Sequence, residues 1–169
     1  MNDLSLIQAM STARLQELLQ DMGYRVTHSE QNGQAQLLSA AQGIGFSVRP
    51  GNQAPAVGEF VDYTFACVLR VQGELPDTLV GRWNGSKRFA RLSTQGDFLV
   101  MEMDVVVAGG VSGNHVRAMI ELWDRLLQEF VLFLRQVAMM QADAAKADSD
   151  PEAAIAATPA EAAAAGTAA

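Results

Sequence analysis

The chain has 169 residues, 49 % of them hydrophobic and 18 % charged, which is enough apolar material for one packed core. Its net charge of −7 is split between residues 1–140, with 11 basic and 14 acidic side chains, and residues 141–169, with one Lys against five acids, so neither part offers the broad positive surface that phosphate neutralisation needs and nucleic acid is not expected as a partner. One cysteine, Cys67, excludes an internal disulfide and a multi-thiolate zinc site.

Ser11 is suited to cap a helix, and Leu15, Leu18, Leu19 and Met22 then recur at helical spacing before Gly23, so an amphipathic helix of about three turns is predicted. Tyr24, Val26 and His28 alternate with polar residues as far as Asn32-Gly33, a dipeptide that suits a tight hairpin turn; a strand, a turn and a second strand through Leu37 and Leu38 follow. Ile44–Arg49 reads as a further short strand, and Pro50, Gly51, Asn52 and Pro55 as an irregular loop. Between Glu59 and Val71 the odd positions Val61, Tyr63, Phe65, Cys67, Leu69 and Val71 are apolar, the alternation of a strand with one face in a core. Pro76 suits a first helical turn, so a short helix is predicted from there to about Trp83, closed by Asn84-Gly85-Ser86.

A second hairpin is expected from Arg88–Ser93 and Asp97–Val107 around Thr94-Gln95-Gly96, the latter strand alternating through Leu99, Met101, Met103, Val105 and Val107. Gly109-Gly110 breaks that ladder, Ser112 or Asn114 caps a last helix, and a helical apolar pattern runs from Val116 to about Met140. Val116, Ile120, Trp123, Leu127, Phe130 and Leu134 form one face of it, widened by Met119, Leu122, Leu126, Val131 and Phe133. That is more apolar surface than one stripe on a sheet requires, so a homodimer through the last helix is expected. Residues 141–169 hold 15 alanines among 29 residues and no aromatic side chain, and read as a disordered acidic tail beyond a folded domain at 1–140.

No basic and apolar leader is visible at the start, and the longest late apolar run, Phe130–Leu134, is far too short to span a bilayer. A cytoplasmic location and no membrane association are the expectation.

Groups able to do chemistry are few. His28 falls on a strand and His115 in the first turn of the last helix, and each is more often a structural or solvent-facing histidine than a catalytic base; Cys67 sits mid-strand on an apolar face where a thiol is inert. Glu102 and Asp104 share a strand face and invite an acid/base or metal reading, but the commoner explanation is a solvated sheet face on which they pair with Arg70 or Arg91. The glycines match no phosphate-binding loop. One local positive patch, Arg82, Lys87, Arg88 and Arg91 interleaved with Trp83 and Phe89, suits RNA or an acidic peptide, although such charges more often form a solvated rim; Arg82, Trp83, Arg88, Phe89 and Arg91 are the candidate partner-binding residues. Trp83 has an equal alternative as a residue of the hydrophobic core. No catalytic, cofactor-binding or metal-binding residue is assigned.

Leu79-Val80-Gly81-Arg82-Trp83-Asn84, Arg88-Phe89-Ala90-Arg91, Leu99-Val100-Met101-Glu102-Met103-Asp104 and Gly109-Gly110-Val111-Ser112, in this order, resemble the YbjN family of bacterial sensory-transduction regulators over roughly residues 11–137. The resemblance implies an α+β fold with an antiparallel sheet and flanking helices, in the order α-β-β-β-α-β-β-α, similar to class I type III secretion chaperones, which commonly dimerise and bind extended segments of partner proteins. It brings no catalytic residues. The expectation is therefore a non-enzymatic, chaperone-like regulator or adaptor acting on a protein partner; the alternatives are a dedicated secretion chaperone and an enzyme or metal protein built on Glu102 and Asp104.

Overall fold

In the computed structural model, residues 5–149 are described, and the chain divides into two units, Met1–Val131 and Leu132–Ala169. The first unit begins with a short strand β1 (Met10–Ser11) leading directly into helix α1 (Thr12–Asp21). Ser11 is extended and its hydroxyl accepts from the Arg14 amide, so the predicted cap is the observed one, and Leu15 and Leu19 are the buried face of the helix.

Three strands come next, β2 (Thr27–Gln31), β3 (Gln34–Ala41) and β4 (Ile44–Pro50). Asn32 and Gly33 both take positive φ in the first turn, as the dipeptide predicts, and Gln42-Gly43 repeats the same geometry in the second. After β5 (Glu59–Phe60), which pairs with β1 in a small separate sheet, comes β6 (Asp62–Arg70). Helix α2 (Leu79–Ser86) starts three residues after Pro76. Strands β7 (Arg91–Gln95) and β8 (Phe98–Val106) meet at a two-residue turn centred on Gly96-Asp97, one step later than the sequence suggested, and α3 runs Gly113–Ser149. The Ser112 hydroxyl, not Asn114, caps that helix by accepting from the His115 amide. Of the residues expected to form a tail, 141–149 continue α3 and 150–169 lie outside the described residues.

The main sheet is antiparallel throughout, with strand order β2-β3-β4-β6-β8-β7. This is the expected α+β class, with four sheet strands between the first two helices where the resemblance implies three. The chain leaves β6, forms α2, lays β7 at the margin and slots β8 in between.

Alternation then separates the two faces of the sheet. Leu37, Val48, Phe65 and Met103 stand opposite one another on β3, β4, β6 and β8, and all four are buried. Trp123 of α3 covers this row, its ring 5.9 Å from Phe46 and 5.8 Å from Phe65. One residue along each strand, the row Leu38, Ser47, Ala66, Glu102 and Arg91 lies on the opposite face, together with the exposed Val68, Phe98 and Val106.

The apolar surplus on α3 is largely consumed within the first unit. Val116, Ile120, Trp123, Leu126, Leu127 and Phe130 are buried and Met119, Leu122 and Val131 half-buried. The large apolar residues that α3 exposes are Leu132, Met139 and Met140.

Candidate functional site

The connection from α2 to β7 carries most of the residues singled out by sequence, and the local packing decides which of them face outward. Trp83 is 0 % exposed, standing edge-on to Phe130 at 5.3 Å, and its indole N–H donates to the Ala90 carbonyl at 3.2 Å. It belongs to the core. Lys87 reaches over the Trp83 ring, 5.8 Å from its centroid, and pairs with Glu129 at 2.6 Å.

Ala90 is buried and tied to Trp83, so the chain must turn sharply to bring it inward, and Phe89 takes the strain at φ 74°. Left-handed backbone at a bulky aromatic residue costs about 1–3 kcal/mol. The consequence is that the Phe89 ring is 60 % exposed, with the Arg88 guanidinium 5.0 Å from its centroid. Arg82 is exposed on α2. Of the five candidates, then, Arg82, Arg88 and Phe89 are displayed around this connection, Trp83 is beneath it, and Arg91 belongs to a different cluster.

That cluster lies on the open face of the sheet. Arg91 contacts Asp104 at 2.5 Å and Glu102 at 3.2 Å, and Arg49 contacts Glu102 at 2.7 Å from the other side. Thr64 donates to Asp104 at 2.7 Å. Pairing with Arg91 is as expected, whereas the second arginine is Arg49 rather than Arg70, which stands opposite Phe98 at the far end of β6. The hydrogen bond from Arg91 holds the Asp104 carboxyl below its ordinary range, assisted by Thr64 and by the charges of Arg91 and Arg49, against the opposing effect of burial. Two carboxylates matched by two guanidiniums make a brace across β4, β6, β8 and β7, a poor arrangement for a proton-transfer pair.

The remaining reactive groups are scattered. His28 is on β2, His115 in the first turn of α3, and both are exposed. Cys67 is buried in β6, and burial pushes its thiol up to about 11. Among the described residues no group of three His, Cys, Asp or Glu side chains could hold a metal ion.

Two features of the site region had no sequence signal. An open groove of about 840 Å³ runs beside the start of β2, lined by Tyr24, Arg25, Leu38, Gln42, Glu121 and Asp124 among others. Burial raises the Tyr24 phenol above its usual range, and Asp124 and Glu121 add to the effect. The second feature is the treatment of the β7 margin. Asn84 of α2 donates through its amide nitrogen to the Leu92 carbonyl at 2.9 Å and accepts from the Leu92 amide at 2.8 Å, so one side chain occupies the outward hydrogen-bonding groups of a strand residue. The Trp-Asn pair therefore works as a unit, one residue anchoring the connection and the other sealing the strand.

A family model described as "putative bacterial sensory transduction regulator", YbjN, matches residues 11–136, well over half of the chain. The chain belongs to the YbjN family. The YbjN match starts at the cap of α1 and ends inside α3, so it takes in the whole main sheet and all the features above. No curated protein and no solved structure matches the chain. The YbjN description concerns regulation and names no reaction. Among the described residues, no helix is long and apolar enough to cross a membrane.

Proposed function

We propose that this YbjN protein is a non-enzymatic, chaperone-like regulator that acts in the cytoplasm by holding a protein partner at the connection between α2 and β7, with Phe89 as the apolar anchor and Arg88 and Arg82 beside it. The observation that carries this reading is the backbone of Phe89: the chain accepts a left-handed conformation and, with it, presents a large aromatic ring to solvent under a guanidinium. Strain of this kind is retained where function uses it, and an aromatic residue next to Arg is the composition that concentrates binding energy. The neutralised Glu102 and Asp104 pair and the buried Cys67 support binding over catalysis.

The test separates fold from contact. Phe89→Gly removes the ring and suits the positive φ, so it should raise stability by about 1 kcal/mol relative to Phe89→Ala, read by urea denaturation. A protein recovered from the native host with the wild-type chain and with Asp104→Asn, but lost with both Phe89→Gly and Arg88→Ala, is the expected partner. If every protein recovered with the wild type is also recovered with Phe89→Gly, this site does not bind it. A dedicated secretion chaperone would show a single partner that is itself exported; a general regulator would not.

A further inference from the structure

The main sheet ends differently on its two sides, and the bare side has a chemistry that fits itself. In a two-residue hairpin the residues flanking the turn form a hydrogen-bonded pair, here Gln31 with Gln34, so Gln31, Ser29 and Thr27 turn their backbone groups toward β3. The Arg25 carbonyl has the same parity and accepts from the Ser39 hydroxyl on β3 at 2.8 Å. By alternation, the N–H and C=O of His28 and Glu30 point outward, away from the sheet. Both residues are exposed, and no residue plays for β2 the part that Asn84 plays for β7 among the described residues.

Proteins cover, bend or shorten exposed edges because an uncovered one pairs with another strand. This edge carries no Pro, no Lys and no bulge.

We propose that a second copy of this chain occupies it, β2 pairing antiparallel with β2 of its partner about a two-fold axis at Ser29, so that two six-stranded sheets join into one. The register comes from the side chains. An axis at Ser29 sets His28 against the partner's Glu30, and Glu30 against the partner's His28, so both outward-facing residues enter hydrogen-bonded pairs and an imidazole donor meets a carboxylate acceptor twice. On the opposite face Ser29 meets the partner's Ser29, and Thr27 the partner's Gln31, all of them able to hydrogen-bond. An axis at Glu30 instead sets two carboxylates against each other, and an axis at His28 leaves the outward groups of Glu30 opposite residue 26, beyond the strand. Self-complementarity is a requirement of a two-fold interface, and one axis position satisfies it.

This proposal is independent of the Phe89 reading, since β2 and β7 are at opposite margins of the sheet. It differs from dimerisation through Leu132, Met139 and Met140 of α3, and the experiment distinguishes the two.

Sedimentation velocity on the full chain, over micromolar to several hundred micromolar concentrations, is run for the wild type, His28→Glu, Glu30→Lys, an equimolar mixture of these two variants, and Leu132→Lys. The expected result is a concentration-dependent wild-type dimer, weakened about tenfold or more in each β2 variant by itself, because His28→Glu sets carboxylate against carboxylate twice and Glu30→Lys replaces the carboxylate acceptor facing each imidazole with an ammonium donor. In the mixture, Glu at 28 meets Lys at 30 and His28 meets Glu30, so association returns to within about threefold of the wild type. Leu132→Lys leaves it unchanged. A wild type that is monomeric throughout, a mixture no stronger than its components, or a dimer lost in Leu132→Lys and kept in Glu30→Lys would each overturn the proposal. Circular dichroism of each variant shows whether the fold is kept; if the β2 variants are unfolded, Glu30→Gln and His28→Gln replace them, with the same requirement of weaker association.

Discussion

At β7 the sheet meets α2, and Asn84 satisfies both outward groups of Leu92; at β2, among the described residues, it meets nothing comparable, and His28 and Glu30 keep their backbone groups turned outward. The two margins belong to the same antiparallel sheet and each strand has five residues, so strand length does not account for the contrast. The difference is a neighbouring helix with an amide side chain at the right height. It teaches that the end of a sheet is a chemical choice made residue by residue, and that the end left unfinished is the place to look for a partner.

The comparison breaks most severely at Trp83. Truncation to Ala removes the ring that packs on Phe130 and the hydrogen bond to Ala90, and should cost about 3–5 kcal/mol by urea denaturation, releasing the connection that holds α2 against β7. Asn84→Ala is the sharper tool. Loss of two hydrogen bonds to one strand residue predicts about 1–3 kcal/mol of destabilisation, and it frees the outward groups of Leu92, so association should rise beyond a dimer in sedimentation experiments. No change in either stability or association would mean that Asn84 seals nothing.

Asp104→Asn addresses the brace that joins β7 to its neighbours and has the smallest expected effect. The side chain is 45 % exposed, so solvent screening limits the loss at neutral pH to about 1 kcal/mol or less. A carboxyl held below its ordinary value of 3.8 contributes stability that is present above that pH and lost as pH falls through its folded value. The gap between wild type and Asp104→Asn should therefore be largest near pH 7 and close as pH falls below 3.8 and through the lower folded value. A constant gap across that range would remove the ion pair from the explanation.

Much of this could be read from local sequence, because local physics decides it. Ser11 caps α1, Asn32-Gly33 turns the first hairpin, and the alternations of β6 and β8 identify the buried face. The features that failed to show depended on how the elements pack in three dimensions. Arg49 rather than Arg70 completes the pairing of Glu102 because β4 and β8 both flank β6, an order that no single segment encodes. Sequence leaves Trp83 equally open to the core and to an exposed aromatic and arginine patch; its place on α2 turns it onto Phe130, and the ring left outside is Phe89, whose left-handed backbone has no sequence signal in a residue other than glycine, Asn or Asp. Asn84 read as a helix stop and proved to be a strand clamp.

Amide hydrogen exchange at three positions tests the contrast between the margins most directly. The account predicts a Leu92 amide protected at every protein concentration, and His28 and Glu30 amides that exchange rapidly in dilute solution and become protected as concentration rises. Leu92 exchanging as fast as His28, or His28 and Glu30 indifferent to concentration while the chain associates, would contradict it.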